Sequence, residues 1–221
     1  MKKIVDLSVS LENGMMYYPG DPVPEISPAL TLEKDGCRVT QLHIGSHTGT
    51  HIDAPSHFVK EGKTMEEIEL LKCMGRAAVV TLTNLAPCHK ITLEDIREQL
   101  PKAGEVQVIL LHTEWTEKYG TEEFLQHPYL SKEVAEMFVS LGIQAVGVDM
   151  LNVDHTCQEG ELYTEDSTEV HQVLLGNEII IVENLTNIGA VDFENPYVMF
   201  VPLKISGADG SPVRAVAVEF E

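Results

Sequence analysis

Apolar and polar side chains alternate most plainly near the two ends of the chain. Residues 3–10 (KIVDLSVS) change character at almost every step, the period of a strand with one buried face, and 38–46 repeat the pattern. Between them, the segment from Asn13-Gly14 to Pro24 holds enough glycine and proline to be a loop. Toward the C-terminus, 197–205 and 213–219 again read as strands. The middle differs. Ala77 to Leu82, Val106 to His112, Ala145 to Val148 and Ile179 to Val182 are short, strongly apolar runs that predict buried strands. Helical signals separate them. Thr92, followed by acidic Glu94 and Asp95, caps a helix running to about Leu100. Ser131 opens another, whose Val134, Ala135, Phe138, Val139 and Leu141 form one stripe before Gly142 stops it. Met65 to Leu71 predicts a further short helix, and Ser167 to Leu175 one more. Helix and strand alternating over 92–148 argue for parallel pairing with helices outside. With strand-rich ends, the expected fold is α/β with a mixed sheet. No repeat, low-complexity run or linker divides the chain, so residues 1–221 are expected to form a single domain, a size one core can support.

Composition narrows the function. Hydrophobic residues at 43% and charged residues at 23% are those of an ordinary soluble protein. No apolar run reaches eighteen residues, so no membrane span is expected. The charged start, Met1-Lys2-Lys3, reaches Asp6 too soon for a signal-peptide core, which points to the cytoplasm. A formal net charge of −20 repels nucleic-acid phosphates and anionic lipid, excludes both as expected partners, and mildly favours divalent cations. Cys37, Cys73, Cys88 and Cys157 are scattered without a C-x-x-C pair, so neither a disulfide framework nor a cysteine zinc site is indicated. Cys157 lacks a His or Asp partner at a recognisable spacing, and no G-x-S-x-G elbow occurs.

The candidate chemistry lies in His47-Thr48-Gly49-Thr50-His51-Ile52-Asp53-Ala54-Pro55-Ser56-His57-Phe58. A helix is disfavoured there by Gly49, by β-branched Thr48, Thr50 and Ile52, and by Pro55. In extended backbone His51 and Asp53 share a face, and a bend at Gly49 would bring His47 round to join them. Imidazole and carboxylate are ligands for zinc and similar divalent ions, and a carboxylate can bridge two. The plain alternative is a set of surface histidines in a polar turn, but four of the nine histidines fall between 43 and 57. His43 reads as a strand or core histidine. Later in the chain, His171 sits in the 167–175 helix, and Glu183 ends an apolar strand, where a carboxylate needs a partner or a cavity. Taken alone, Glu183 reads as a salt-bridge or solvent-facing residue. His155 lies in a polar loop, Asn152 to Gly160, and is expected to be solvated. His89, His112 and His127 match no ligand spacing.

H-T-G-T-H-I-D-A-P-S-H-F resembles, position for position, the H-x-G-T-H-x-D-x-P-x-H-F signature of metal-dependent hydrolases of the cyclase family, which includes bacterial kynurenine formamidases and isatin hydrolase. His171, Leu174-Leu175 and, twelve positions after the histidine, Glu183-Asn184-Leu185 also match its pattern, as do Gly147-Val148-Asp149 and Gly207 to Arg214. The resemblance implies a compact β/β/α fold around a barrel-like sheet. It implies that His47, His51 and Asp53 are metal ligands, that His171 and Glu183 hold a second ion sharing Asp53, and that His57 is the catalytic acid/base. The cofactor would be one or two divalent ions, zinc ahead of manganese. The reaction would be hydrolysis of a C–N amide-type bond, in an arylformamide or a cyclic amide, by metal-activated water. An imidazole suits the proton transfer because it titrates near neutrality. Tyr18 and Phe58 would wall the pocket of this small-molecule substrate. Kynurenine formamidases usually carry tryptophan where this chain has Tyr18, which sets the kynurenine substrate apart from the chemistry. Asp209 and Arg214 are expected to fix a turn and pair with polar neighbours. A homodimer or higher homo-oligomer is implied. Two rival readings are a metal-dependent lyase or cyclase that stabilises an enolate, and a non-catalytic metal-binding protein, which would have no need of an unliganded His57.

Overall fold

The structure, a computed structural model, describes residues 1–156 and 165–220. The apolar middle strands pair in parallel, Met74–Thr81 with Val108–His112, then Ala145–Val148, then Ile180–Glu183. Antiparallel strands flank this block on both sides. The full order is Lys3–Asp6, Val216–Glu219, Tyr197–Met199, Met74–Thr81, Val108–His112, Ala145–Val148, Ile180–Glu183, His51–Asp53 and Gly210–Pro212. This is the mixed sheet read from the alternation, and it curls until its ends approach. Ser8, just past the first strand, bridges Leu185, just past Ile180–Glu183. The Thr186 N–H donates to the Leu7 carbonyl at 2.9 Å, and the Val9 N–H to Thr50 Oγ1 at 2.9 Å.

Strand alternation divides the core in two. Ile109, Leu111, Val146, Val148 and Ile181 pack outward against Val134, Phe138 and Leu174 of the helices. Val108, Leu110, Ile180 and Val182 face the other way, into the curl, where they meet Val5, Phe200 and Ala217. Side chains of both sets are fully buried on the Val108–Leu111 run, which explains why that run lacks polar positions. The helices are short. At Leu93–Ile96 the Asp95 carboxylate accepts both the Thr92 N–H and the Thr92 hydroxyl at 2.7 Å, a reciprocal cap. Lys132–Leu141 follows Ser131 and ends at left-handed Gly142. The helix expected at 65–71 breaks into two 3₁₀ turns, Met65–Glu67 and Leu70–Cys73, because only Met65, Ile68 and Cys73 find the core while Leu70 and Leu71 stay exposed. No helix among the described residues is long and apolar enough to cross a membrane.

The strand expected at 38–46 forms at Val39–His43, but outside the main sheet. It pairs with Glu25–Leu30 in a separate hairpin. Every residue of both strands except Ile26 is exposed, His43 included, so that histidine is not a core residue. Asn13 ties the hairpin down, its Nδ2 donating to the Ile26 carbonyl and its Oδ1 accepting the Ile26 N–H.

Candidate metal and active site

The His51–Asp53 strand lies between Ile180–Glu183 and Gly210–Pro212, antiparallel to both. Alternation sends Ile52 into the core and turns His51 and Asp53 to the opposite face. The register sets Glu183 directly across from His51. The glutamate therefore joins that face, 6% exposed, rather than reaching solvent. Gly49 adopts a left-handed φ of 68°, the bend that returns His47 to the cluster with Nδ1 2.8 Å from Asp53 Oδ1. Gly210 leaves room for it, since a Cβ there would come within 2.7 Å of His47 Cε1.

His171 arrives from the helix Glu169–Gly176, with Nε2 3.6 Å from both Asp53 Oδ2 and Glu183 Oε1. Its other nitrogen, Nδ1, lies 2.7 Å from Asp154 Oδ2, and the same carboxylate accepts the Val170 and His171 backbone N–H groups at 3.0 Å. Asp154 thus caps the helix and fixes the imidazole at once. Sequence reading gave it no role and singled out only neighbouring His155, expected to be solvated. That histidine is half-buried against Tyr129 and is not among the residues of the cluster.

The donor atoms fit a divalent ion. His51 Nδ1 donates to the Gly49 carbonyl at 2.8 Å, which leaves Nε2 facing Asp53 at 3.3 Å and Glu183 at 3.5 Å without a hydrogen bond. Asp53 is 0% exposed, and neither of its oxygens makes a well-directed hydrogen bond, although His47 Nδ1 stands 2.8 Å from Oδ1. A buried carboxylate in that state is costly unless a cation sits beside it. His51, Asp53 and Glu183 bring ligand atoms within 4.8 Å of one another, and so do His47, Asp53 and His57. Asp53 belongs to both groups, the placement required of a bridging carboxylate.

Charge reinforces this. Burial alone would lower the imidazole pKa values, but the carboxylates prevail. Asp53 and Asp209 raise His47 to about 9, Asp53 and Glu183 raise His51 to about 10, and Asp154 and Asp53 raise His171 to about 10. Asp53 is held well below the carboxylate range, because His47, His171 and His51 together outweigh its burial. A metal ion must displace the imidazole protons. Affinity is therefore expected to keep climbing between pH 6 and 8, instead of levelling off above the ordinary value of 6.5. The metal-free protein runs oppositely. The imidazolium–carboxylate pairs stabilise it fully below 6.5, and that contribution is lost as pH rises through 9 to 10. Competition with a chromophoric chelator at several pH values checks this; an affinity flat above pH 7 would contradict it.

His57 rides on the 3₁₀ turn Pro55–His57, immediately after the His51–Asp53 strand. Its Nδ1 lies 3.3 Å from Asp209 Oδ2, which also sits 3.1 Å from His47 Nε2. Asp209 Oδ1 accepts the Ser46 hydroxyl at 2.8 Å. Hydrogen bonds from His47 and His57 hold the Asp209 carboxyl well below its usual range. Asp209 does pair with polar neighbours as expected, but these belong to the site. Arg214 pairs elsewhere, with Asp6. Tyr18 and Phe58 line a cavity of about 280 Å³ above the cluster, together with Leu151 and several polar residues. Phe58 also stacks on His171 at 4.4 Å between ring centres. His89 pairs with Asp95, and buried His127 bonds Pro128 and Thr156, both away from the cluster. Cys157 lies outside the described residues.

A family model described as putative cyclase matches residues 5–155. A kynurenine formamidase of Bacillus cereus is 33% identical over 216 residues, covering 96% of this chain and 95% of that one. Another, from Geobacillus thermodenitrificans, is 29% identical over 97% of each. Among solved structures, an isatin hydrolase bound to the product analogue thioisatinate has the same fold, with a TM-score of 0.85 at 22% identity over 97% of this chain and 91% of that one. A predicted metal-dependent hydrolase from Bacillus stearothermophilus is 26% identical over 97% of both chains, with a TM-score of 0.74. A match running along almost the whole of both chains is far more than a short histidine signature could produce, and on it the chain belongs to the cyclase family of metal-dependent hydrolases.

Proposed function

We propose that this metal-dependent amide hydrolase cleaves the C–N bond of an arylformamide or a small cyclic amide, with His57 as general acid/base. The observation that carries the reading is the buried, unbonded trio of His51 Nε2 and both Asp53 oxygens beneath a cavity with an aromatic wall. His47, His51 and Asp53 would hold one divalent ion, and Asp53, His171 and Glu183 a second, zinc ahead of manganese. Such ions, when bound, lower the pKa of water and polarise a carbonyl oxygen. The chain's own residues do the rest. Asp209 accepts from His57 Nδ1, which leaves Nε2 to take a proton from water and deliver it to the leaving nitrogen. Asp154 fixes His171, and the Gly49 carbonyl fixes His51, so that each presents Nε2. Tyr18 and Phe58 shield the reacting bond from bulk water and favour a flat substrate.

Metal quantification followed by turnover assays on formamides, lactams and esters tests the reading. Uptake of water into the product separates hydrolysis from a lyase. Because Tyr18 stands in the place of tryptophan, N-formylkynurenine is expected to be a secondary substrate, exceeded in kcat/KM by another small amide or cyclic imide. A screen in which N-formylkynurenine ranks first would overturn that expectation.

A homodimer or higher homo-oligomer is the assembly we propose. The hairpin of Glu25–Leu30 and Val39–His43 supports it, since Leu30, Val39 and Leu42 are exposed on a pair of strands too small to be stable alone, and Leu32 is exposed in the helical turn that joins them. Sedimentation of the unmodified protein and of Leu42→Asp checks this. The variant is expected to weaken association, and an unmodified protein that is monomeric at micromolar concentration would reject it.

A further inference from the structure

Apart from the imidazoles of the cluster itself, the cavity above it has no basic lining: among its described residues there is no lysine or arginine. Three acids among those described residues line it, and two are committed: Asp154 to His171 and the helix N-terminus, Glu183 to the Val153 N–H and the cluster. The third is Asp21. It closes a turn in which its N–H donates to the Tyr18 carbonyl at 3.0 Å, with Pro19 and Gly20 (φ 101°) at the central positions. That is the type II arrangement, proline second and glycine third. The turn therefore presents Tyr18 and Asp21 side by side at the cavity, and Asp21 is half-buried there. Its carboxylate has no hydrogen bond or ion pair among the described residues.

An anionic substituent held beside Asp21, away from the imidazoles and any bound ions of the cluster, would lose water without meeting a lysine or arginine and would lie near an unpaired carboxylate. A cationic one would gain a partner. The net charge of −20 acts in the same sense at long range, raising the local concentration of cations. We infer that the substrate is an aromatic amide bearing a basic amine away from the scissile bond, and that Asp21 is the specificity-determining residue that receives the ammonium. This rests on the amide-hydrolase reading of the same site. It adds the sign of charge that the substrate carries.

The test uses the metal-loaded full chain and three families of formanilide, bearing an aminomethyl, a hydroxymethyl or a carboxylate group, each as ortho, meta and para isomers. The best aminomethyl isomer is expected to exceed the best carboxylate isomer by about tenfold or more in kcat/KM. Asp21→Asn should cut the ratio of aminomethyl to hydroxymethyl turnover by about three- to tenfold, and Asp21→Lys should turn the preference toward the carboxylate. A carboxylate isomer used as well as the aminomethyl one, or an unchanged ratio in Asp21→Asn, would overturn the inference. If no formanilide is hydrolysed, the amidase reading is what has failed. Binding of 4-(aminomethyl)aniline against 4-(hydroxymethyl)aniline, which lack the scissile bond, then decides the charge. Tighter binding of the amine that Asp21→Asn abolishes supports the inference, and equal affinities refute it.

Discussion

Alanine in place of Asp53 should remove bound metal and activity together. Asp53 Oδ1 lies beside His47 and His51, and Oδ2 beside His171, so no other side chain touches as much of the cluster. Its loss would leave the imidazoles buried together with fewer carboxylates to balance their charge. Removing one partner of a buried, paired charge typically costs about 3–5 kcal/mol, so the metal-free variant should also be less stable. Metal content after dialysis is expected near zero, and turnover should fall below that of any single proton-transfer variant. Asp53→Asn keeps one carbonyl oxygen and the shape, and should fall between. Mass-spectrometric metal analysis with circular dichroism on both variants makes the measurement. Metal stoichiometry in Asp53→Ala equal to that of the unmodified protein would dispose of the shared-ligand arrangement.

His57→Ala should behave differently, keeping its metal and its fold while turnover falls about a hundred- to ten-thousand-fold, the range for loss of a general acid/base. His51→Ala, by contrast, should lose metal and activity together. The comparison is a demanding one, because His57 stands within ligand distance of His47 and Asp53. Asp209 occupies His57 Nδ1 and also reaches His47 Nε2, but His47 keeps its other nitrogen 2.8 Å from Asp53. Asp209→Asn should therefore lower kcat by roughly ten- to a hundredfold, the usual effect of removing an orienting carboxylate, with metal content reported alongside because the residue also touches His47. If His57→Ala loses metal as His51→Ala does, His57 is a ligand and the proton carrier lies elsewhere.

Much of this arrangement could be read from the chain, for local reasons. The strand phase of His51 and Asp53, the bend at Gly49, the cap at Thr92 and the stop at Gly142 each depend on a few adjacent residues, and each forms as expected. Parallel pairing followed from the alternation of apolar runs with helices. What escaped reading depends on residues distant in sequence. Glu183 alone favoured a salt bridge, and only the register against His51 buries it in the cluster. Asp209 looked like a turn residue because nothing beside it in the chain shows that Gly210 pairs with Asp53. Asp154 was hidden for the same reason, since its partner is a helix beginning fifteen residues later. The 38–46 strand shows the converse limit. Alternation predicts a strand but does not say which surface will cover it, and here the hairpin stands apart from the sheet.

The position of the His51–Asp53 strand also bears on how the protein folds. It bridges Ile180–Glu183 and Gly210–Pro212, partners more than 120 residues away, so its place in the sheet is a long loop closure. The parallel strands between Met74 and Val148 pair over far shorter separations and can form a nucleus without it. The histidine–carboxylate cluster would then be assembled after the rate-limiting barrier. A divalent ion binding a cluster that is absent from the transition state leaves the folding rate nearly unchanged and slows unfolding instead. Metal would thus act as a latch on the finished molecule, prolonging the lifetime of the native state rather than guiding the chain toward it.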